Sequence, residues 1–579
     1  MPTAGTQRIL PVFVQAMKRL AVFATLCGSV AAILFLASAQ PKLNISRSGA
    51  DLSVSWSATN ATNAVLQQTA TPWVSNSWTS VTQTAVSNND AFSVLISPTN
   101  GAAYFRLLSA SGLVDEPDAA FVDSNGDGID GDIARAIFVS ASGSDTSAGT
   151  IAQPVRTLAR GIALAAAGGK DVYVAAGTYT SGTLSLSNKV SIYGGYSPID
   201  WSRNDAFVVN VNSTNSIAVL ASEITNQTRL DHLTINGANA SGTSVSAYGI
   251  LLLNSSALSI RRCTIHAGNG ATGTDGANAG INGGAGGNGT NGYNGYEDDS
   301  YIFCAGDVPD PPLTASGGAS YLGGNSRGGD GKRGCRTGGA NCAGISGEAG
   351  TTSGAPAGSG GFGISGGTGG SGKPGTNGVA GVNGAGGSGG LISGNSWVPN
   401  SGAYGGIGQA GGGGGGGAGG GSTHSTGTCQ DWGGGGGGGG GGGSGGSGGD
   451  GGSGGGASFG VFLLNSVVIA NLVTITTGNG GTGGAGRIGG PGGQAGTGGT
   501  AGAGYDEGRP GGAGGAGGKG GAGGAGGGGA GGYSVCVCSG TGSSWNDDGS
   551  STLTPGSAGQ GGTSAGNAGA SGISAMVFP

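Results

Sequence analysis

Apolar and polar positions alternate from residue 41 to residue 109 with the period of half-buried strands. Leu52, Val54 and Trp56 fall on one face, Phe92, Val94 and Ile96 on another, and Tyr104-Phe105-Arg106-Leu107 closes the segment. No helical period interrupts this stretch, so 40–110 reads as a small β-sandwich. Trp73 and Trp78 within it read as core or edge packing residues. Beyond residue 136 the pattern shortens. Helical apolar spacing over 157–167 is followed by brief apolar strands at 172–175, 184–186, 190–193, 217–220, 230–235, 250–253 and 258–260. Short strands at such spacing, broken by Asn, Ser and Gly, predict a parallel β-helix over 136–267.

An internal repeat organises the second half. Tyr248-Gly-Ile-Leu-Leu-Leu-Asn254 recurs as Phe459-Gly-Val-Phe-Leu-Leu-Asn465, and Thr264-Ile265 followed by Asn269-Gly270 recurs as Thr474-Ile475 followed by Asn479-Gly480. The residues from 572 to 579 look like the start of a third copy. One β-helix is therefore expected to continue through 457–477 and 572–579, with arms 268–456 and 478–571 leaving it from equivalent positions. Neighbouring coils lie about 4.8 Å apart, so the arms should emerge stacked.

Those arms hold most of the 143 glycines among 579 residues. Gly recurs at every third position from 360 to 390, and Gly511-Gly512-Ala513-Gly514-Gly515-Ala516 continues in phase to Gly529. An extended helix of the polyproline II type has about three residues per turn, so this period places Gly along one face, where neighbouring backbones can meet. Collagen is excluded by a Pro count of only 18. A flexible linker has no reason to hold phase over ten triplets, and the reading is ordered packing of the polyglycine II type. The all-Gly stretches 411–417 and 433–443 carry no phase and are expected to be loosely held.

Composition narrows the function. Charged residues are 9% and aromatic residues 6%, with a net charge of -6 and no basic stripe of Lys and Arg. Nucleic acid is not an expected partner. Arg8, Lys18 and Arg19, an apolar stretch over 20–36 and Ala37-Ser38-Ala39 read as a secretory signal over 1–39, and Leu26 before Cys27 argues against a lipoprotein. The protein is expected outside the cell, secreted or surface-associated, with no membrane contact beyond the export signal. In an oxidising compartment Cys263 reads as a buried thiol in a strand. Cys304, Cys335, Cys342, Cys429, Cys536 and Cys538 read as disulfide candidates; Cys536 and Cys538, too close to pair with each other, are expected to staple to distant segments.

The linker 111–135 carries the strongest metal signal. Asp123, Asn125 and Asp127 precede Gly128, with Asp130 and Asp132 beyond, the oxygen-rich spacing with which one tight loop wraps calcium. Position twelve is Ala134 rather than a bidentate Glu, so Asp130 or Asp132 must complete the shell. The expected role of the ion is structural.

The opening of the predicted β-helix reads Phe138-Val-Ser-Ala-Ser-Gly-Ser-Asp145, Gly149-Thr150, Pro154-Val155, Thr157-Leu158, Val172-Tyr-Val-Ala-Ala-Gly-Thr-Tyr179 and Ile192-Tyr-Gly-Gly-Tyr-Ser-Pro-Ile-Asp-Trp201. Over 136–267 it resembles exported right-handed β-helix proteins of the pectate-lyase-like superfamily, and the glycine tracts resemble PGRS-type surface proteins. The first resemblance implies a right-handed coil. Activity does not follow from it, because lyases of that kind need clustered acidic calcium ligands with a basic residue beside them. Asp200, Asp205, Glu223 and Asp231 fall on different predicted coils, His232 reads as a surface residue, and Lys189 and Arg203 as turn residues. The expected class is an all-β structural or adhesive surface protein, not an enzyme, with cell-envelope or extracellular polysaccharide, or a second copy of itself, as partner. Two other classes compete: a β-helix that binds or cleaves polysaccharide, and an ice-binding protein, which would show Thr or Ala arrays on one face.

Overall fold

The computed structural model describes residues 43–57, 64–70, 78–88, 91–97, 103–109, 115–296, 314–321, 326–336, 340–423 and 431–579. The export segment, Trp73, Cys304 and Cys429 lie outside them. Among the described residues no helix is long and apolar enough to cross a membrane.

The chain divides into two units. In the first, strands Asn44–Ser48, Asp51–Ser57, Ala91–Ile96 and Val86–Asn88 form one antiparallel sheet, and Thr79–Ser80, Ala64–Thr69 and Tyr104–Ser109 form another. The alternation read from the sequence sets their inner faces. Val54, Trp56, Leu66, Val94 and Ile96 are buried together, with Phe92, Phe105 and Leu107 packed against them. Trp78 lies outside this cluster, under the Arg106 guanidinium at 4.5 Å from the ring centre.

The second unit is built from three parallel sheets. One contains Gly177–Ser181, Val209–Ser213, Thr234–Asn236, Thr264–His266, Thr474–Thr476 and Thr552–Thr554; the next contains Leu184–Ser185, Ile217–Ser222, Ala247–Leu253, Ser458–Leu464, Ser534–Ser539 and Ser574–Phe578. The last runs from Ala136–Val139 through Asp171–Ala175, Ile192–Tyr196, Thr228–Asp231, Leu258–Arg261 and Val467–Asn471 to Ser544–Asp547. Each pass of the chain gives one strand to each sheet in turn, which is compatible with a β-helix-like fold. Like side chains therefore stack in columns: Val211, Ile235, Ile265, Ile475 and Leu553 in one sheet, and Val219, Ile250, Val461 and Val537 in another. The helix Leu158–Gly168, capped by the Thr157 side chain and ended by Gly169 at φ 61°, turns Leu158, Ile162 and Ala165 into the same core.

The internal repeat is a strand pairing. Tyr248 stands beside Phe459 and Thr264 beside Thr474, although about two hundred residues separate each pair. One coil was not legible. Ser534–Ser539, Ser544–Asp547 and Thr552–Thr554 form a further turn inside the expected second arm, so Ser574–Phe578 stacks on that coil rather than directly on the 459 coil. Its strands are short and rich in Ser, Thr and Cys, which hides their apolar period.

The glycine segments leave these coils as extended chains joined by backbone hydrogen bonds. The two arms meet in register: the N–H groups of Gly270, Gly273, Gly276, Gly283 and Gly289 donate to the carbonyls of Asn479, Thr482, Ala485, Pro491 and Thr497. The all-Gly stretches, expected to be loose, are instead the most enclosed chains of the array. Segment 411–421 donates to the three segments 434–443, 367–376 and 345–351, and accepts from 512–518, 358–361 and 329–335. With a neighbour on every side, the segment carries a single side chain, the fully buried methyl of Ala418, and its other positions are Gly. A Cβ on Gly414, Gly415 or Gly416 would stand 2.1 Å from the carbonyl oxygens of Gly515, Ser359 and Asp330 respectively, each on a different neighbour.

Glycine content per triplet thus reports how enclosed a segment is. In the Gly-Gly-Ala stretch, Gly511 and Gly512 face the carbonyls of Gly435 and Gly370, while the Ala516 methyl, in the next triplet, is exposed. Replacing Gly415 by Ala should therefore cost about 3 kcal/mol or more, since overpacking against backbone has no rotamer to relax into. Ala516→Gly should change stability by less than about 1 kcal/mol, mostly through chain entropy. Chemical denaturation of the two variants beside the parent chain measures both.

Candidate functional site

The densest polar chemistry gathers where residues of 115–123 and 127–135 meet the sheet that contains Thr228–Asp231. Three corner residues, His232, Arg262 and Leu472, repeat the left-handed turn on successive coils, with φ of 59°, 47° and 53°. A bulky residue is uncommon at positive φ. The coil geometry demands the turn, and the side chains at it are thrown outward into one column.

Arg203, read from the sequence as a turn residue, is buried. Its Nη1 donates to Asp130 Oδ2 at 2.9 Å and to the Asp118 carbonyl at 3.0 Å, and its Nε donates to the Gly194 carbonyl at 2.8 Å. Asp231 is buried as well. It accepts from Arg261 Nη2 at 2.9 Å and from Arg262 Nε and Nη2 at 3.0 Å, and Arg203 Nη2 lies 3.5 Å away. Arg262 also donates to the Asp118 carbonyl, and the Phe121 ring lies beneath Arg262 and Arg203 at 5.0 and 5.4 Å. Burial pushes the Asp231 carboxyl upward, but the hydrogen bond from Arg262 and the charge of Arg203 outweigh it and hold the group below its ordinary range. At Asp130 burial wins over the pull of Arg203, and the carboxyl is raised. Guanidinium forks in this arrangement clamp Asp118 and Asp130 to the coils.

Beside the clamp opens a cleft of about 410 Å³ whose lining includes Asp205, His232, Thr234, Arg262, Thr264 and Leu472. His232 Nδ1 sits 3.5 Å from Asp205 Oδ1, and burial together with Arg203 and Arg262 lowers its pKa, so the imidazole is neutral at pH 7. Cys263 also borders the cleft, but burial pushes its thiol up to about 12, which keeps it from acting as a thiolate. The cleft can offer guanidinium, imidazole and hydroxyl groups to a polar ligand. Of the four scattered carboxylates, Asp205 lines the cleft and Asp231 is buried in the clamp beside it; Asp200 caps a turn by accepting from Ser202, and Glu223 accepts from Asn254.

The acidic loop is tied to its own backbone. Asp123 accepts from the N–H groups of Asp127 and Gly128, Asp127 from those of Ile129 and Ile133, and Asp132 caps Ala134. Asp130 points the other way, into Arg203. Asn125 belongs to a short stretch, Ser124–Gly126, that groups with the first unit. A second carboxylate group had no sequence signal: Asp431, Asp506 and Glu507 bring ligand atoms within 4.8 Å of one another from segments far apart in sequence.

Among the cysteines, Cys335 and Cys342 form a disulfide across a separation of 7 residues. Cys536 and Cys538 are not staples to distant segments. Both are free and buried in the strand Ser534–Ser539, their thiols pushed up to about 11 and about 12 by burial, because the coil that holds them needs small apolar side chains. Cys263 is a buried thiol, as expected, but it sits at the corner between Leu258–Arg261 and Thr264–His266 rather than within a strand.

What sequence reading missed here is that Arg203, Asp231, Arg261 and Arg262 act together. Adjacent arginines in a chain so poor in charge were the available signal. Comparison with protein-family models, with curated proteins and with solved structures finds no match.

Asp231→Asn should destabilise the protein by about 3 to 5 kcal/mol, since it leaves buried guanidinium groups without their counter-charge. A carboxyl depressed in the folded state stabilises above its unfolded value, here ordinarily 3.8, and that contribution is lost as pH falls through the lower folded value. Acid unfolding should therefore show a component below about pH 4 in the parent chain that is absent in Asp231→Asn, followed by circular dichroism against pH.

Proposed function

We propose that this is an exported structural protein of a cell surface or extracellular matrix, in which a right-handed parallel β-helix carries a slab of polyglycine II type and which catalyses nothing. The observation that carries the reading is the in-register hydrogen bonding of the two arms, Gly270, Gly273 and Gly276 of one to Asn479, Thr482 and Ala485 of the other. A chain ordered in that way presents wide, mostly uncharged outer faces that carry exposed apolar side chains, among them Ile281, Phe362, Val382, Tyr404 and Ile407. Such faces suit many weak contacts rather than one tight ligand, which favours self-association or attachment to cell-envelope or extracellular polysaccharide. The N-terminal apolar stretch and its Ala-Ser-Ala ending support export. Purified protein should assemble with itself, or co-sediment with envelope polysaccharide, over a steep concentration range in analytical ultracentrifugation. A protein that stays monomeric at high concentration and ignores every polysaccharide offered would sink the proposal.

The cleft with His232, Arg262, Thr234 and Thr264 favours a second reading, a β-helix that binds or cleaves polysaccharide. Release of reducing or unsaturated ends from polygalacturonate or alginate, abolished by His232→Ala, would replace the first reading with this one.

Calcium belongs to the proposal as a structural ion on the loop of Asp123, Asn125, Asp127 and Asp132. Asp130 is left out, because its carboxylate is held by Arg203. Millimolar calcium should raise the melting temperature of the parent chain, and Asp123→Ala should abolish that gain while Asp130→Ala lowers the melting temperature with and without calcium.

A further inference from the structure

The glycine arms contain eight Asn-Gly pairs, at Asn269, Asn282, Asn288, Asn291, Asn294, Asn377, Asn383 and Asn479. Seven of them make the same contact. The Asn side-chain carbonyl accepts from the N–H of one residue on the neighbouring segment, and the N–H of the following Gly donates to the carbonyl of that same residue. Asn288 and Gly289 grip Thr497 in this way at 2.9 and 2.9 Å, Asn291 and Gly292 grip Thr500 at 3.0 and 2.8 Å, and Asn294 and Gly295 grip Ala503 at 2.9 and 2.7 Å. Asn377 holds Lys519, Asn383 holds Ala525, Asn269 holds Asn479, and Asn479 in turn holds Ser557.

Asn282 is the exception, and the reason is one residue. Gly283 donates to the carbonyl of Pro491 at 2.8 Å, so the register is kept, but Pro491 has no N–H to give to the Asn282 side chain. Asn282 is exposed to solvent.

Asn-Gly is the dipeptide most prone to spontaneous deamidation, because Gly does not shield its own nitrogen. The Gly nitrogen attacks the Asn Cγ and loses its proton, the side-chain nitrogen leaves as ammonia, and a succinimide ring closes. Water then opens the ring to aspartate or to isoaspartate. Attack requires the side-chain amide to swing away from its partner and the Gly N–H to leave its acceptor. In a gripped pair both must be released; at Asn282 only the second must.

We propose that Asn282 is the deamidation site of the glycine arms, and that the other seven pairs are protected by the two-point grip. The modification places a negative charge on the outer face. Its isoaspartyl product also lengthens the backbone between Asn282 and Gly283, which breaks the three-residue period that sets the register with Pro491. Asn282 is thereby a built-in point of ageing in a chain otherwise arranged to resist it.

The test incubates the full-length protein, folded, at mildly alkaline pH and 37 °C, and maps aspartate and isoaspartate by peptide mass spectrometry over time. Asn282 should convert about five- to tenfold faster than Asn288, Asn291 and Asn294, the population effect of one neutral hydrogen bond. In denaturant the differences among these sites should collapse. Pro491→Ala, which restores the missing N–H, should slow Asn282 to the rate of its neighbours. Equal rates at all four sites in the folded parent, or no slowing in Pro491→Ala with the fold intact by circular dichroism, would overturn the proposal.

Discussion

Two backbones can come within hydrogen-bonding distance along their whole length only where no Cβ stands between them, and this molecule is organised around that contact. At Gly414, Gly415 and Gly416 three successive residues face three different carbonyl oxygens at distances no side chain survives. Ordering a glycine backbone costs about 1 to 2 kcal/mol per residue, more than for other residues, while a net hydrogen bond returns about 1 kcal/mol. A single glycine chain therefore gains nothing by becoming extended and regular. The balance turns only when each chain is shared among several neighbours, so that both polar groups are bonded and every face is packed. Enclosed segments carry glycine at nearly every position of the turn, Ala418 being the exception in 411–421, and outer segments at one or two.

Such an array lacks side chains to fix its own register, since a homopolymer can slide by a triplet at no cost. The coils supply what it lacks. Thr264–His266 beside Thr474–Thr476 sets the two arms side by side before the glycine begins, and the ladder of Asn239, Asn269 and Asn479 carries the register outward. Further out the Asn-Gly grips repeat the lock at intervals of three residues. Specific side chains thus act at the start and along the rim, and glycine acts in between.

Charge is handled in the opposite way. Part of the charge of the coils is drawn into one buried cluster, Arg203, Arg261 and Arg262 around Asp231, with Asp130 reaching in from the acidic segment, while Lys189, Asp200, Asp205 and Glu223 stay exposed. That arrangement locks a loop-rich segment which has little apolar surface of its own, and it leaves His232 and Arg262 at the edge of a cleft. Outer faces of the glycine arms stay nearly neutral, which is the property on which a role in broad, weak association rests.

Much of this was determined by the sequence alone. Strand periodicity gave the columns of Ile235, Ile265 and Ile475, because a stacked coil repeats the same burial at each turn, and the likeness of 248–254 to 459–465 gave their pairing across the first arm. The three-residue period marked which glycines of the outer segments donate to neighbouring backbones, as Gly372, Gly375, Gly378 and Gly381 do. Other features were decided only by the tertiary structure. An all-Gly stretch has no phase to read, so the central place of 411–421 follows from its neighbours and not from its own residues. Asp130 carries the same signal as Asp123 and Asp127 until Arg203, seventy-three residues away, takes its carboxylate. Cys536 and Cys538 look like staples until the coil at 534–539 buries them. In each case the deciding partner is distant along the chain, and local pattern holds no record of which distant group will arrive.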